Sequence, residues 1–218
     1  MHIAVSLRIL GILLMVFSSS MLIPLVMALV ADDSTVDGFL SALAITFFSG
    51  LALWVPVMNA RQDLRIRDGF LITSMFWIVL GLFGALPFAL TESLNLSTIE
   101  AIFESISGLT TTGATVIVGL DALPKSILLY RQLLQWMGGI GIIVVAVAVL
   151  PMLGIGGMQL YKAETPGPSK DSKLTPRITG TAKALATVYV TLTMVCALSY
   201  WAAGMTEFDA IAHAVSYT

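Results

Sequence analysis

The residues of this chain best suited to chemistry stand in one short run, Thr110-Thr111-Thr112-Gly113-Ala114-Thr115. β-Branched residues resist helix continuation and glycine accepts a positive φ, so the run predicts an extended, bent backbone. A row of carbonyls in such a segment can replace the hydration shell of a monovalent cation, a chemistry of dehydration in which no bond is made or broken. Just upstream, Ser97-Thr98-Ile99-Glu100 has the form of a capping box, with the serine hydroxyl accepting from the Glu100 amide and the carboxylate reaching back to the Ser97 amide. The helix begun there is expected to continue to about Leu109, roughly 18 Å, which is half of what a bilayer crossing needs. Its negative end would face the threonine run. An outer loop with a short amphipathic helix and a Thr-rich turn is the plainer reading of the same residues.

Other polar residues gain meaning from their spacing. Glu104 follows Glu100 by four positions, which places both carboxylates on one helix face; Glu100 reads as a capping acid, and Glu104, lying deeper, is a candidate ion-pair partner for Arg131. Gly138-Gly139-Ile140-Gly141 lacks the preceding strand and the third glycine of a dinucleotide fingerprint, so close helix packing is the better account. Cys196 lies in an apolar run and reads as a small buried hydrophobe. His213 has no second histidine or cysteine spaced to help it bind a metal, so a packing role is expected, and no metal other than a transported cation is implied.

The elements that must position these residues follow from composition. Hydrophobic residues make up 57% of the 218 and charged residues 11%, with a mean hydropathy of +0.94. Soluble domains carry about a quarter charged residues, so the chain reads as an all-α polytopic membrane protein. A net charge of −2 and a single cysteine exclude a nucleic-acid binder and a disulfide scaffold, and the apolar content excludes a disordered chain. Charges fall in clusters whose gaps measure spans. Arg8 to Asp32, Asp37 to Arg61, Asp68 to Glu92 and Lys183 to Glu207 each enclose 23 uncharged residues, about 35 Å as helix. A fifth gap, Gln132 to Tyr161, is expected to hold a helix ending near Leu150, before Pro151 and the Gly154, Gly156 and Gly157 cluster. Alternating the loops puts Arg8, Arg61, Arg65, Arg67, Lys162, Lys170, Lys173, Arg177 and Lys183 on one side, leaving Lys125 and Arg131 opposite. By the positive-inside rule the first side, and the amino terminus with it, is cytoplasmic.

An internal repeat joins the two ends of the chain. Leu96 to Ser107 aligns without gaps to Met205 to Ser216 at an offset of 109, pairing Ala101 with Ala210, Ile102 with Ile211, Ser107 with Ser216 and Glu100 with Asp209. Each copy follows a span of the same length, so the unit is span, short helix, extended segment, span. His213 occupies the place of Glu104 in the second copy.

Phe103-Glu104-Ser105 with Gly108 to Thr115, Tyr130 to Ile143, Gly156 to Tyr161, Pro166-Gly167-Pro168 and Thr175-Pro176-Arg177-Ile178 together resemble the membrane subunits of Trk-type potassium uptake systems, within the Trk/Ktr/HKT superfamily. The resemblance runs along the whole chain. It implies a potassium-channel-like fold of four helix, re-entrant pore loop, helix repeats around one ion path in a bacterial inner membrane, preceded by two extra helices, Ile9 to Ala31 and Phe39 to Ala60. It divides the chain into residues 1–66 (extra helices and a cytoplasmic loop), 67–155 (first repeat), 156–183 (cytoplasmic linker) and 184–218 (start of a second repeat). Thr110, Thr111 and Thr112 would coordinate potassium, Gly113 would be the first selectivity glycine, and Ser97, Glu100, Glu104 and Arg131 would support the pore helix. The resemblance further implies a homodimer in membrane lipid, gated by a cytoplasmic nucleotide-binding regulatory ring, with potassium as substrate and no cofactor. On this reading the chain is the front part of a longer protein, cut before its second filter, and is not expected to conduct alone. A non-conducting structural fragment and a proton- or sodium-coupled secondary carrier are the alternatives, and an enzyme is disfavoured because no span carries a catalytic set at mid-depth.

Overall fold

A computed structural model describes residues 3–60, 66–149 and 174–217, and every regular element among them is helical. In chain order these are α1 (Ile3–Ser20), α2 (Leu22–Ala31), α3 (Val36–Trp54), α4 (Ile66–Gly84), α5 (Leu86–Leu90), α6 (Thr98–Leu109), α7 (Lys125–Val149), α8 (Leu174–Ala202) and α9 (Glu207–Tyr217), with short 3-10 turns at Val55–Val57, Glu92–Leu94 and Leu120–Ala122. Four stretches are long and apolar enough to cross a membrane, Ile3–Ala31, Val36–Val57, Leu71–Leu90 and Lys183–Ala202. The 25 residues of α7 reach about 37 Å, again the length of a crossing. Its expected end near Leu150 lies outside the described residues, as do the glycine cluster and most of the basic stretch from Tyr161 to Lys183.

Charge gaps understate these helices. The first begins at Ile3, before Arg8, and α4 begins at Ile66, before Asp68, because helical hydrogen bonding does not stop where the apolar run does. Arg8 has work at this edge: its Nη1 donates to the Ala60 carbonyl at 2.8 Å, beyond the end of α3.

Proline breaks the helical paths that the gaps suggest are continuous. Pro24 has no N–H, and its ring crowds the carbonyl four residues back, at Ser20, where α1 gives way to α2. Carbonyls at the break are satisfied locally: the Met21 amide turns to the Ser18 carbonyl at 3.1 Å, and the Ser20 hydroxyl donates to the Phe17 carbonyl at 2.7 Å. Such bonding is what permits a break at membrane depth. Pro56 turns the end of α3 into the 3-10 turn, and Pro87 separates α5 from α4 at Ala85.

Packing centres on Tyr130 of α7, which is fully buried between Phe39 of α3 and Phe88 of α5, ring centroids 5.5 and 5.2 Å away. Its hydroxyl donates to the Gly84 carbonyl at 3.0 Å, a group left without its usual helical donor by the break at Ala85. Around it Leu14, Phe17, Met21, Leu25, Leu109, Ile127 and Leu134 complete one core. Lipid is as apolar as these side chains, so close fit and interhelical hydrogen bonds hold the helices together. A polar knot does so at one end of the bundle. Asp33, in the turn after α2, accepts from the Thr35 amide (2.9 Å), the Thr35 hydroxyl and the Ser126 hydroxyl (2.7 Å), tying that turn to the start of α7.

Helix α1 crosses α3 closely, glycine against glycine. A side chain on Gly50 would meet the Gly11 carbonyl at 2.8 Å and Leu14 Cβ at 3.0 Å. Gly50→Ala is therefore expected to destabilise the fold by about 1–3 kcal/mol through overpacking, read as a lowered unfolding midpoint of the detergent-solubilised protein.

Candidate functional site

The short helix α6 starts as its sequence dictates. Ser97, in extended backbone, donates its amide to Glu100 Oε2 at 2.8 Å and accepts the Glu100 amide on its hydroxyl at 3.3 Å, so both halves of the capping box form. The serine hydroxyl also donates to the same carboxylate at 2.7 Å. These bonds from Ser97 hold the Glu100 carboxyl below the ordinary glutamate value of 4.5. The helix runs 12 residues to Leu109 and stops.

It stops through a Schellman arrangement. The Thr111 amide donates to the Gly108 carbonyl at 2.9 Å and the Thr112 amide to the Ser107 carbonyl at 2.9 Å, which satisfies the last carbonyls of the helix. The residue that takes the left-handed conformation in this motif is commonly glycine, yet here it is Thr111, at φ +57°. For a β-branched residue that conformation is strained by roughly 1–3 kcal/mol. What holds it is α7: Gly138 has no side chain to occupy the place taken by the Leu109 carbonyl, and the Thr111 methyl lies against the same position. Close approach of α6 to α7 is thus the purpose of this glycine, as the packing account of Gly138 to Gly141 requires.

Gly113 is the second left-handed residue, at φ +72°. Beyond it the backbone rises beside α6, held by two side chains one turn apart on that helix. Ser107 donates its hydroxyl to the Ala114 carbonyl at 2.7 Å. Glu104 Oε1 accepts from the Thr115 hydroxyl at 2.6 Å and the Val116 amide at 2.6 Å, while the Ile117 amide is 3.4 Å away. The other carboxylate oxygen receives Arg131 Nε of α7 at 3.0 Å. Glu104 is 1% exposed and Arg131 13%, so the charge pair is closed off behind the segment. In front, Thr110 to Val116 are exposed. The Thr110 hydroxyl donates to the Ile106 carbonyl at 2.8 Å and lies 2.9 Å from the Thr112 hydroxyl.

The residues singled out from sequence thus fall into three groups. Glu104 and Arg131 meet directly and clamp the segment from behind; Ser97 and Glu100 stand at the far end of α6 and act only on its start. Thr110, Thr111, Thr112 and Gly113 lie together at the bend, with the Thr111 methyl turned toward α7. Ser107 and Thr115 emerge as further anchors. The identity of Ser107 with Ser216 across the repeat is the signal that points to the first of them.

The second copy repeats the start of the first. Thr206 accepts the Asp209 amide at 3.2 Å and donates to its carboxylate at 2.7 Å, and α9 follows over 11 residues. Ala101 and Ala210 are both buried. His213 is exposed between the rings of Tyr200 and Tyr217, each 6.2 Å away, and no metal-holding cluster of His, Cys, Asp or Glu occurs among the described residues. Cys196 is only half-buried.

Removing the Glu104 carboxylate frees the Val116 amide and strands Arg131. Glu104→Ala is expected to speed hydrogen exchange at that amide by at least tenfold, one hydrogen bond's worth, with exchange at the start of α6 unchanged. Carbon-detected titration of Glu100 is expected to give a midpoint below 4.5 that returns toward it in Ser97→Ala. Since the folded value is the lower one, the cap's contribution to stability is present at neutral pH and fades as pH falls below the ordinary glutamate range.

Three comparisons bear on this geometry. The family model described as TrkH, cation transport protein, matches residues 37–217. The Trk system potassium uptake protein TrkH of Halomonas elongata is 58% identical over 216 residues, covering 99% of this chain and 45% of its own. The protein of the same name from Escherichia coli K12 is 54% identical over 213 residues, covering 98% and 44%. The crystal structure of the potassium transporter TrkH from Vibrio parahaemolyticus superposes with a TM-score of 0.85 at 50% identity, over 99% of this chain and 42% of that one. The chain spans a little under half the length of these relatives. A shared helical fold, a family match over most of the residues and identities above half together decide the matter: this chain belongs to the TrkH family of cation transport proteins.

Proposed function

We propose that this chain supplies the first filter strand of a potassium uptake pore in a bacterial inner membrane. The observation that carries the reading is the exposed bend from Thr110 to Val116, tied down from behind by Glu104 and Ser107. A cation stripped of water needs oxygens held at fixed positions on several sides. A strand whose rear is anchored and whose front is bare suits that task when other strands face it. Relatives more than twice as long as this chain have the length for them.

In this reading Thr110, Thr111, Thr112 and Gly113 offer oxygens to potassium. The left-handed turns at Thr111 and Gly113 aim successive carbonyls, and the C-terminal end of α6 adds its negative partial charge. Ser97 and Glu100 start the pore helix, and the Glu104–Arg131 pair keeps the outer limb of the strand in place. Arg131 also cancels the Glu104 charge, so the carboxylate anchors backbone without becoming an ion trap. The amino terminus is cytoplasmic, residues 67–155 form the first repeat, and the subunit works as a homodimer whose cytoplasmic face meets a nucleotide-binding regulatory ring. The name shared by the Halomonas and Escherichia relatives, potassium uptake protein, supports the substrate.

A chimera tests this with the chain intact. With these residues in place of the matched 213 of the Escherichia coli relative, growth of a potassium-uptake-deficient strain at low potassium is expected. Gly113→Ser should preserve insertion, because the nearest atom to a side chain there is Gln135 Nε2 at 3.7 Å, yet strain at φ +72° should reduce potassium-over-sodium discrimination about tenfold. A membrane-inserted chimera that does not support growth, or a Gly113→Ser variant with unchanged discrimination, overturns the assignment.

A further inference from the structure

Gln135 has no part in the account so far, although it lies where two repeats meet. It follows Leu134, which packs on Gly108, and precedes by one turn Gly138, against which the end of α6 rests. Its two amide atoms face different elements. Oε1 accepts the Ser216 hydroxyl, on α9, at 2.6 Å. Nε2 is the atom nearest to where a side chain on Gly113 would stand, at 3.7 Å. One half-buried side chain on α7 therefore bonds the second short helix through its acceptor and holds its donor beside the bend of the first extended segment.

With Oε1 engaged by Ser216, the amino group is the part of Gln135 turned to Gly113. An amino group only donates: beside the bend it can attract a backbone carbonyl but cannot bind a cation. We propose that Gln135 is a positioning residue for ion discrimination, which sets the backbone at Gly113 in the first repeat according to the position of the short helix in the second. It is a strut between neighbouring repeats, lying behind the ion path. Movement of α9 would reach the neighbourhood of Gly113 through Gln135. The inference rests on the permeation reading above and adds to it a coupling between repeats.

The same chimera separates the two. Gln135→Leu removes the bond to Ser216 and the amino group beside Gly113; Gln135→Glu keeps an acceptor for Ser216 but turns an oxygen toward Gly113; Ser216→Ala releases the amide while leaving it in place. Expected is a fall in potassium-over-sodium discrimination of up to about tenfold in Gln135→Leu and Gln135→Glu. A smaller fall is expected in Ser216→Ala, without further loss when it is combined with Gln135→Leu. Reduced surface expression alone would lower maximal uptake and leave the ion ratio where it was. A growing parent chimera whose ratio is unchanged in both Gln135 variants overturns this inference alone, and a parent that takes up no potassium overturns the permeation reading beneath it.

Discussion

A single buried carboxylate organises the polar centre of this chain. Glu104 takes donors from its own extended segment and from Arg131 of α7, so three elements converge on two oxygens. A charge removed from water is tolerable only when it is paired and hydrogen-bonded on most sides, and that requirement reaches outward. It obliges α6 to lie flat on α7, which in turn requires glycine at 138, and it obliges the chain after Gly113 to double back along the helix it has just left. The bare front of the segment is a consequence of a fully engaged rear.

The surrounding bundle answers to a related rule. Backbone polarity cannot be left open at membrane depth, yet three prolines interrupt the helical paths. Each interruption is met by a local donor or a change of helix type: the Met21 amide on Ser18, the 3-10 turn after Trp54, the Tyr130 hydroxyl on Gly84. The last of these places a core aromatic by a hydrogen bond as well as by shape. The core beneath α6 is thereby fixed to the span that precedes it.

Repetition explains why the chain holds two helices that start with the same kind of cap, and departure from repetition explains what differs between them. The capping pairs Ser97–Glu100 and Thr206–Asp209 are interchangeable in chemistry. Glu104 and His213 are not: one is buried and saturated with donors, the other exposed between two tyrosine rings.

Much of this is local and was legible in the residues. Capping boxes depend on four consecutive positions, crossings on runs of apolar residues, and the partnership of Glu104 with Arg131 on there being few charges in this stretch of the chain. The proline breaks were also within reach, since they follow from ring geometry alone, although charge gaps by themselves conceal them. Other features depend on what stands opposite in space, and no spacing rule conveys that. Thr111 adopts a left-handed backbone only because α7 braces it; Glu104 grips Val116 only because the chain turns back at Gly113; Gln135 meets Ser216 across 81 positions. Sequence periodicity specifies which face of a helix is polar and where the helix begins, because those are properties of one element. Which polar groups share a partner is decided by the packing of several elements at once, since a hydrogen bond requires contact within about 3 Å.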